Sequence, residues 1–171
     1  MIILGIDPGY AIVGWGVVDY KNGRFTVLGY GAITTPADMS FNRRLQMIYQ
    51  DMNQLCGQYS PQALAMEKLF FTNNQKTGID VAQARGVILL AATLHNLDVF
   101  EYTPLQVKQA VVGYGRAVKH QVMEMTKSIL KLPAVPKPDD TADALALAVC
   151  HGHCAGSAIQ ADLLKRYYAQ R

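Results

Sequence analysis

Apolar positions along this chain follow two periods, and the switches between them mark its elements. Ile2 to Ile6 is an apolar run that ends on Asp7 and the turn pair Pro8-Gly9. It predicts a buried strand stopped by a carboxylate. Ile12 to Tyr20 predicts a second strand. Lys21-Asn22-Gly23 carries the Asn-Gly signal of a hairpin turn, so Arg24 to Thr34 is expected to return antiparallel. Then the period lengthens. After Ser40, a residue suited to an N-cap, Phe41, Leu45, Ile48, Met52 and Leu55 recur at helical spacing. A short apolar strand opens at Pro61 and runs straight into Glu67. A polar loop from Thr72 to Gly78 leads into a helix through about His95, apolar on most sides and rich in small residues. Asp98 to Tyr102 predicts a fifth strand, and Thr103-Pro104 reads as an N-cap with proline at the first helical position. A helix is expected over Lys119 to Leu132, with Val122, Met125, Ile129 and Leu132 on one face and Lys119, Lys127 and Lys131 on another. Pro133, Pro136 and Pro138 form a stiff connector before a helix from about Asp140 to His151. Residues 154–171 are expected to form a terminal helix or tail.

The resulting order, βββαβαβααα, predicts one α/β domain over residues 1–171: a mixed sheet, built from a three-strand antiparallel meander plus parallel strands, with helices on both faces. The strands carrying Asp7 and Glu67 would be parallel neighbours. Their C-terminal ends then open on one edge, where ligand sites of α/β sheets lie. The small-residue helix, Ile79 to Leu94, is either deeply buried or packed on a partner. It is the candidate subunit interface, and a bulky charge at Ala91 is expected to disrupt it.

Composition narrows the classes. Half of the 171 residues are hydrophobic and 17% are charged, as in a soluble globular protein. No stretch approaches the roughly 18 uninterrupted apolar residues of a membrane span, and no signal peptide is expected. Three cysteines, Cys56, Cys150 and Cys154, make an odd count without a disulfide framework, which favours the cytoplasm. The net charge is only +3, but Lys108, Arg116, Lys119, Lys127, Lys131 and Lys137 face the single acid Glu124 between Val107 and Lys137. Such an excess suits a phosphate-rich partner.

Ending apolar strands on Asp7 and Glu67 is costly unless those charges face a cleft or a cation. Asp140 and Asp143 lie one helical turn apart at the start of the last apolar helix. Asp139 and Asp143 are equally compatible with one helical face, so spacing alone does not choose between Asp139 and Asp140. Clustered carboxylates repel unless a cation neutralises them, and an all-oxygen set favours Mg²⁺ or Mn²⁺ over zinc. Two such ions could activate a water and stabilise the leaving oxygen of a phosphodiester. An exposed aromatic at Phe70 or Phe71 could stack on an unpaired base.

The ordered set of GIDPG, E-x-x-F from Glu67 to Phe70, QARG from Gln83 to Gly86, QVKQ from Gln106 to Gln109 followed by VVGYG, and DxxDALA from Asp140 to Ala146 closely resembles the RuvC family of bacterial Holliday-junction resolvases. The resemblance extends to about His153. It implies a ribonuclease-H-like fold, a homodimer, and Mg²⁺-dependent paired nicking of four-way junction DNA. It also implies catalytic and metal-binding roles for Asp7, Glu67, Asp140 and Asp143, DNA-phosphate roles for Lys108 and Lys119, a base contact for Phe70, and partnership with the RuvA–RuvB branch-migration complex. A dimer is also physically apt, because a C2 pair of sites matches the approximate two-fold symmetry of a four-way junction.

Two further signals are set aside. CHGHC, from Cys150 to Cys154, lacks a second cluster to complete a zinc site. The GIDPG turn resembles a phosphate loop of actin-like ATPases, but those proteins need a second lobe that this chain has no room for. A junction-binding module with little catalysis, and a nuclease of the same fold acting on another structured nucleic acid, are the alternative readings.

Overall fold

The computed structural model describes residues 1–68 and 75–156. Phe70, Phe71 and residues 157–171, most of the expected tail, lie outside the described residues. The elements are β1 (Ile2–Asp7), β2 (Ile12–Lys21), β3 (Arg24–Thr34), α1 (Phe41–Tyr59), β4 (Ala63–Glu67), α2 (Gln75–Leu94), β5 (Asp98–Tyr102), α3 (Pro104–Val112), α4 (Lys119–Leu130) and α5 (Asp139–Ala155). The order is the expected one.

A single five-stranded sheet runs β3-β2-β1-β4-β5. The first three strands pair antiparallel, while β1–β4 and β4–β5 pair parallel. This makes β1 the central strand, which is why it reads apolar on both faces: Ile3, Leu4 and Ile6 are all fully buried. Side chains alternate across the sheet. Leu4, Ile6, Leu64 and Met66 join the cluster under α1 and α2, with Ile48, Met52 and Ile88. Ile3 and Ala65 join the opposite cluster, under α3, α4 and α5, with Tyr102, Val122, Leu145 and Val149. Asp7 and Glu67 continue this second face, at the C-terminal edge of the sheet.

Local signals account for the helices on that face. Thr103 accepts from the Gln106 amide at 3.2 Å while the Gln106 side chain accepts from the Thr103 amide at 2.8 Å, a reciprocal cap with Pro104 behind it. Gly113 ends α3 at φ 94°, a left-handed conformation suited to glycine. The Gln121 side chain accepts from the Val118 amide at 2.9 Å and fixes the start of α4.

Three expectations need correction. The helix expected from Ile79 begins at Gln75, so the polar stretch before it is partly helical. On α4 the buried face is Val122, Met123, Thr126 and Leu130, whereas Met125 is exposed. Val122, Ile129 and Leu132 pack on the core as expected, and Thr126 is accommodated there because its hydroxyl donates to the Val122 carbonyl at 2.8 Å. Ala91 is fully buried within this chain's own α1–α2 core, so it cannot be an interface residue. The outward side of α2 instead carries exposed Ile79, Leu90 and Leu94.

Candidate active site

Glycines set the position of the two aspartates on α5. Gly14 on β2 pairs with Asp7 across the sheet. A Cβ at Gly14 would lie 2.0 Å from the Asp140 carbonyl oxygen, and one at Gly5 would lie 2.0 Å from that of Ala144. Backbone therefore rests on backbone, and only residues without a side chain permit it. Ala142, Ala144 and Ala148 on the helix keep the approach close. Thr141 adds a lateral tie, donating to the Gly31 carbonyl on β3 at 3.0 Å. The start of α5 is thereby pressed against the end of β1, and Asp140 and Asp143 come beside Asp7.

Electrostatics records the convergence. The Asp7 carboxyl is pushed up to about 7, first by burial and then by the charges of Asp143, Asp140 and Glu67, with Lys119 pulling the other way. Glu67 is raised as well, by burial and then by Asp143, again opposed by Lys119. All four expected acids thus act on one region. Asp139 behaves differently. It binds Lys137 at 2.8 Å and Lys119 at 3.7 Å, and the Lys137 hydrogen bond, foremost, lowers its carboxyl. It does not figure among the groups that repel Asp7. Of the two residues that spacing left open, Asp140 is the one beside the cluster.

Both expected lysines line the same cleft. A concavity of about 170 Å³ is bordered by Glu67, Asp143, Lys108 and Lys119, with an apolar floor that includes Val107, Val122 and Leu147. Lys119 is the first residue of α4, where the helix dipole disfavours a cation. Its contact with Asp143 at 2.9 Å offsets that penalty and raises the lysine's pKa. A larger depression of about 450 Å³ lies at the β2–β3 hairpin, lined by Asp19, Lys21, Asn22, Arg24 and Thr26, at the opposite end of the strands from the acids.

The donors fit a hard divalent cation. They are all carboxylate oxygens, and burial with mutual repulsion holds the Asp7 proton far above its ordinary range, so a positive charge placed among them would relieve both. Among the described residues no three potential ligands are already gathered around one point. In this arrangement Asp143 turns to Lys119. Lys119 meets only one oxygen of Asp143, Oδ2, so that carboxylate is already charge-paired at the edge of the cleft.

Sequence reasoning missed the glycine seat. Its signal was present: Gly14 and Gly16 alternate in β2, and Gly5 interrupts β1. Glycine inside a strand often marks a close backbone approach. The CHGHC segment is structural where it is described. His151 is buried, shares a 2.7 Å hydrogen bond with the Tyr102 hydroxyl and packs on Phe100 at 4.3 Å between ring centroids. Burial lowers its pKa to about 4, so it is neutral at physiological pH.

Comparison with known proteins follows the same lines. The family model described as crossover junction endodeoxyribonuclease RuvC matches residues 3–151. Crossover junction endodeoxyribonuclease RuvC of Ruminiclostridium cellulolyticum is 58% identical over 153 residues, covering 90% of this chain and 92% of that protein. The Clostridioides difficile protein of the same name is also 58% identical, covering 90% of each. Among solved structures, Thermus thermophilus RuvC in complex with a Holliday junction substrate matches with a TM-score of 0.83 at 31% identity, covering 91% of this chain and 95% of that one. The ribonuclease-H-like fold expected from the sequence is the fold observed.

Proposed function

The chain belongs to the RuvC family of crossover junction endodeoxyribonucleases, and from that premise we propose that it resolves four-way (Holliday) DNA junctions by paired, symmetric nicks. The observation that carries the reading is the convergence of Asp7, Glu67, Asp140 and Asp143 beside a cleft that also holds Lys108 and Lys119. Asp7, Glu67, Asp140 and Asp143 would hold Mg²⁺, two ions per site, with Mn²⁺ able to substitute. When bound, these ions activate water and stabilise the leaving oxygen of the phosphodiester.

The chain's own groups do the positioning. Lys119, paired with Asp143 at 2.9 Å, would hold the scissile phosphate or steady its developing charge beside the acids. Lys108, which also lines the cleft, would hold the strand by a phosphate contact. Val107, Val122 and Leu147 give the cleft an apolar lining beside these charges. Phe70, three residues after Glu67 in the sequence, is assigned the base contact on the strength of the family resemblance. Exposed Ile79, Leu90 and Leu94 on α2 offer an apolar surface for a C2 homodimer, which would present two such sites to the two-fold junction. RuvA–RuvB would deliver the junction, in the cytoplasm. Among the described residues no helix is long and apolar enough to cross a membrane.

A panel of synthetic substrates tests this reading. Two symmetric nicks are expected in a four-way junction with Mg²⁺, and little cutting of flap, duplex or RNA hairpin. Junction binding without nicking would leave a binding module. Preference for another substrate would place the chain's activity elsewhere within the fold.

A further inference from the structure

Two buried cations stand out among the described residues. Arg44 serves its own neighbourhood, donating to the Met39 carbonyl at 3.2 Å and lying over the Tyr10 ring. Arg85 is different. It is 6% exposed, within a helix whose buried neighbours are Ala84 and Ile88. A guanidinium there is costly unless its donors are met. One Nη donates to the backbone carbonyl of Glu67 at 2.7 Å, and the other pairs with the Glu101 carboxylate. The next amide, that of Lys68, donates to the Tyr102 carbonyl at 2.8 Å. The peptide unit that follows Glu67 is therefore gripped on both sides. Arg85 supplies one grip, from the sheet face opposite the acids.

We infer that Arg85 is a positioning residue for the metal site: by holding the Glu67 carbonyl it fixes the direction in which the Glu67 carboxylate leaves the end of β4. This rests on the assignment of Glu67 as a metal ligand. Simple core stability explains it less well. A buried ion pair is seldom more stabilising than apolar packing, and Glu101, 43% exposed, would stay solvated without its partner. What an apolar replacement could not supply is a donor to the Glu67 carbonyl. The grip also joins α2, whose outward side bears Ile79, Leu90 and Leu94, to a catalytic strand, so the helix and the ligand keep a fixed relation.

The test uses the full chain, without DNA. Mn²⁺ affinity is measured by calorimetry for wild type, Arg85→Met, Arg85→Lys and Glu101→Gln. In parallel, hydrogen exchange of the Lys68 amide is followed against that of Thr35, which donates to the Ala11 carbonyl far from Arg85. Arg85→Met is expected to weaken Mn²⁺ binding about tenfold or more, as losing a group that orients a ligand commonly does. It should also accelerate Lys68 exchange and leave Thr35 unchanged. Glu101→Gln keeps the carbonyl contact, so its affinity should stay within about threefold of wild type. Arg85→Lys should fall between the two. Unchanged Mn²⁺ affinity and Lys68 exchange in a cooperatively folded Arg85→Met would overturn the inference. So would a Glu101→Gln loss as large as that of Arg85→Met, which would assign the effect to the ion pair. If Arg85→Met does not fold, Arg85→Lys must lose more affinity than Glu101→Gln, and equality sinks the idea. Wild-type Mn²⁺ binding that is indifferent to Asp7→Asn would instead refute the metal site itself, and the Lys68 exchange still reports on the grip.

Discussion

The two faces of the sheet are packed by different rules. Under α1 and α2, Leu4, Ile6, Ile48, Met52, Leu64, Met66 and Ile88 interlock as large aliphatic side chains. Such a core tolerates exchange among residues of similar volume, because neighbours can adjust by rotamer changes. Under α5, Gly5 and Gly14 meet helix backbone directly. No rotamer can absorb an added atom there. The first face supplies stability, and the second also sets where two aspartates stand relative to a third. Placement of the acids is thus a steric property of glycine and alanine positions outside the acids themselves.

The largest contrast is expected within α2. Ala91→Glu would bury an unpaired carboxylate in the aliphatic face and should prevent folding, read as loss of a cooperative melt. Its neighbour Leu90 is exposed, so Leu90→Glu should leave the melt nearly unchanged and reduce the proposed dimer to monomers in light scattering. A folded Ala91→Glu monomer would mean that the α2 core is looser than its packing implies.

Next comes the glycine seat. Gly14→Ala should cost about 1–3 kcal/mol of stability by overpacking, and it should slow junction cleavage by roughly 100-fold or more, because the start of α5 must retreat. The other face supplies the control: Ile48→Val should cost about 0.5–1.5 kcal/mol and leave cleavage unchanged below its melting range. If both variants lose activity only in proportion to stability, the two faces do not differ in what they position.

A smaller effect concerns pH. The folded, metal-free protein holds the Asp7 proton up to about 7, against 3.8 ordinarily. The folded state therefore binds this proton more tightly than the unfolded state. Its ionisation costs nothing below pH 4, costs progressively more between 4 and 7, and costs the full amount above 7. That amount is at most about 4 kcal/mol. Asp7→Asn should abolish cleavage yet be more stable than wild type in urea at pH 8 with EDTA, by roughly 1–3 kcal/mol. The gap should close by pH 4. A variant less stable than wild type at pH 8 would contradict the electrostatics of the cluster.

Much of the fold was legible because strand order and face follow from period and turn chemistry. The apolar run into Asp7, the Asn-Gly hairpin and the Thr103-Pro104 cap each behave as their local chemistry dictates. The parallel pairing of β1 with β4, and hence the shared edge of Asp7 and Glu67, followed from the same reasoning. What stayed hidden depends on side-chain contacts that period and spacing do not specify, whether local or distant in sequence. The helical period of α4 gave most of its face, but it could not show that Thr126, satisfied by its own helix, is buried while Met125 is exposed. Small residues in α2 singled out Ala91 as an interface position, but Ala91 lies in this chain's own core. Asp139 and Asp140 were equivalent by spacing; what separates them is that Asp139 is held by Lys137 while the charge of Asp140 acts on Asp7.

That separation offers the most direct measurement of the central claim, that α5 docks to bring Asp140 and Asp143 to Asp7. Mg²⁺-dependent cleavage of one synthetic four-way junction should be compared between Asp140→Asn and Asp139→Asn, under single-turnover conditions. The two residues are adjacent, lie in the same first turn of α5 and lose the same charge on substitution. Asp140→Asn is expected to give no detectable nicking, and Asp139→Asn to nick within a few-fold of wild type. An inactive Asp139→Asn beside an active Asp140→Asn would show that α5 presents its other acid to the site, and the docking of α5 on β1 would be wrong.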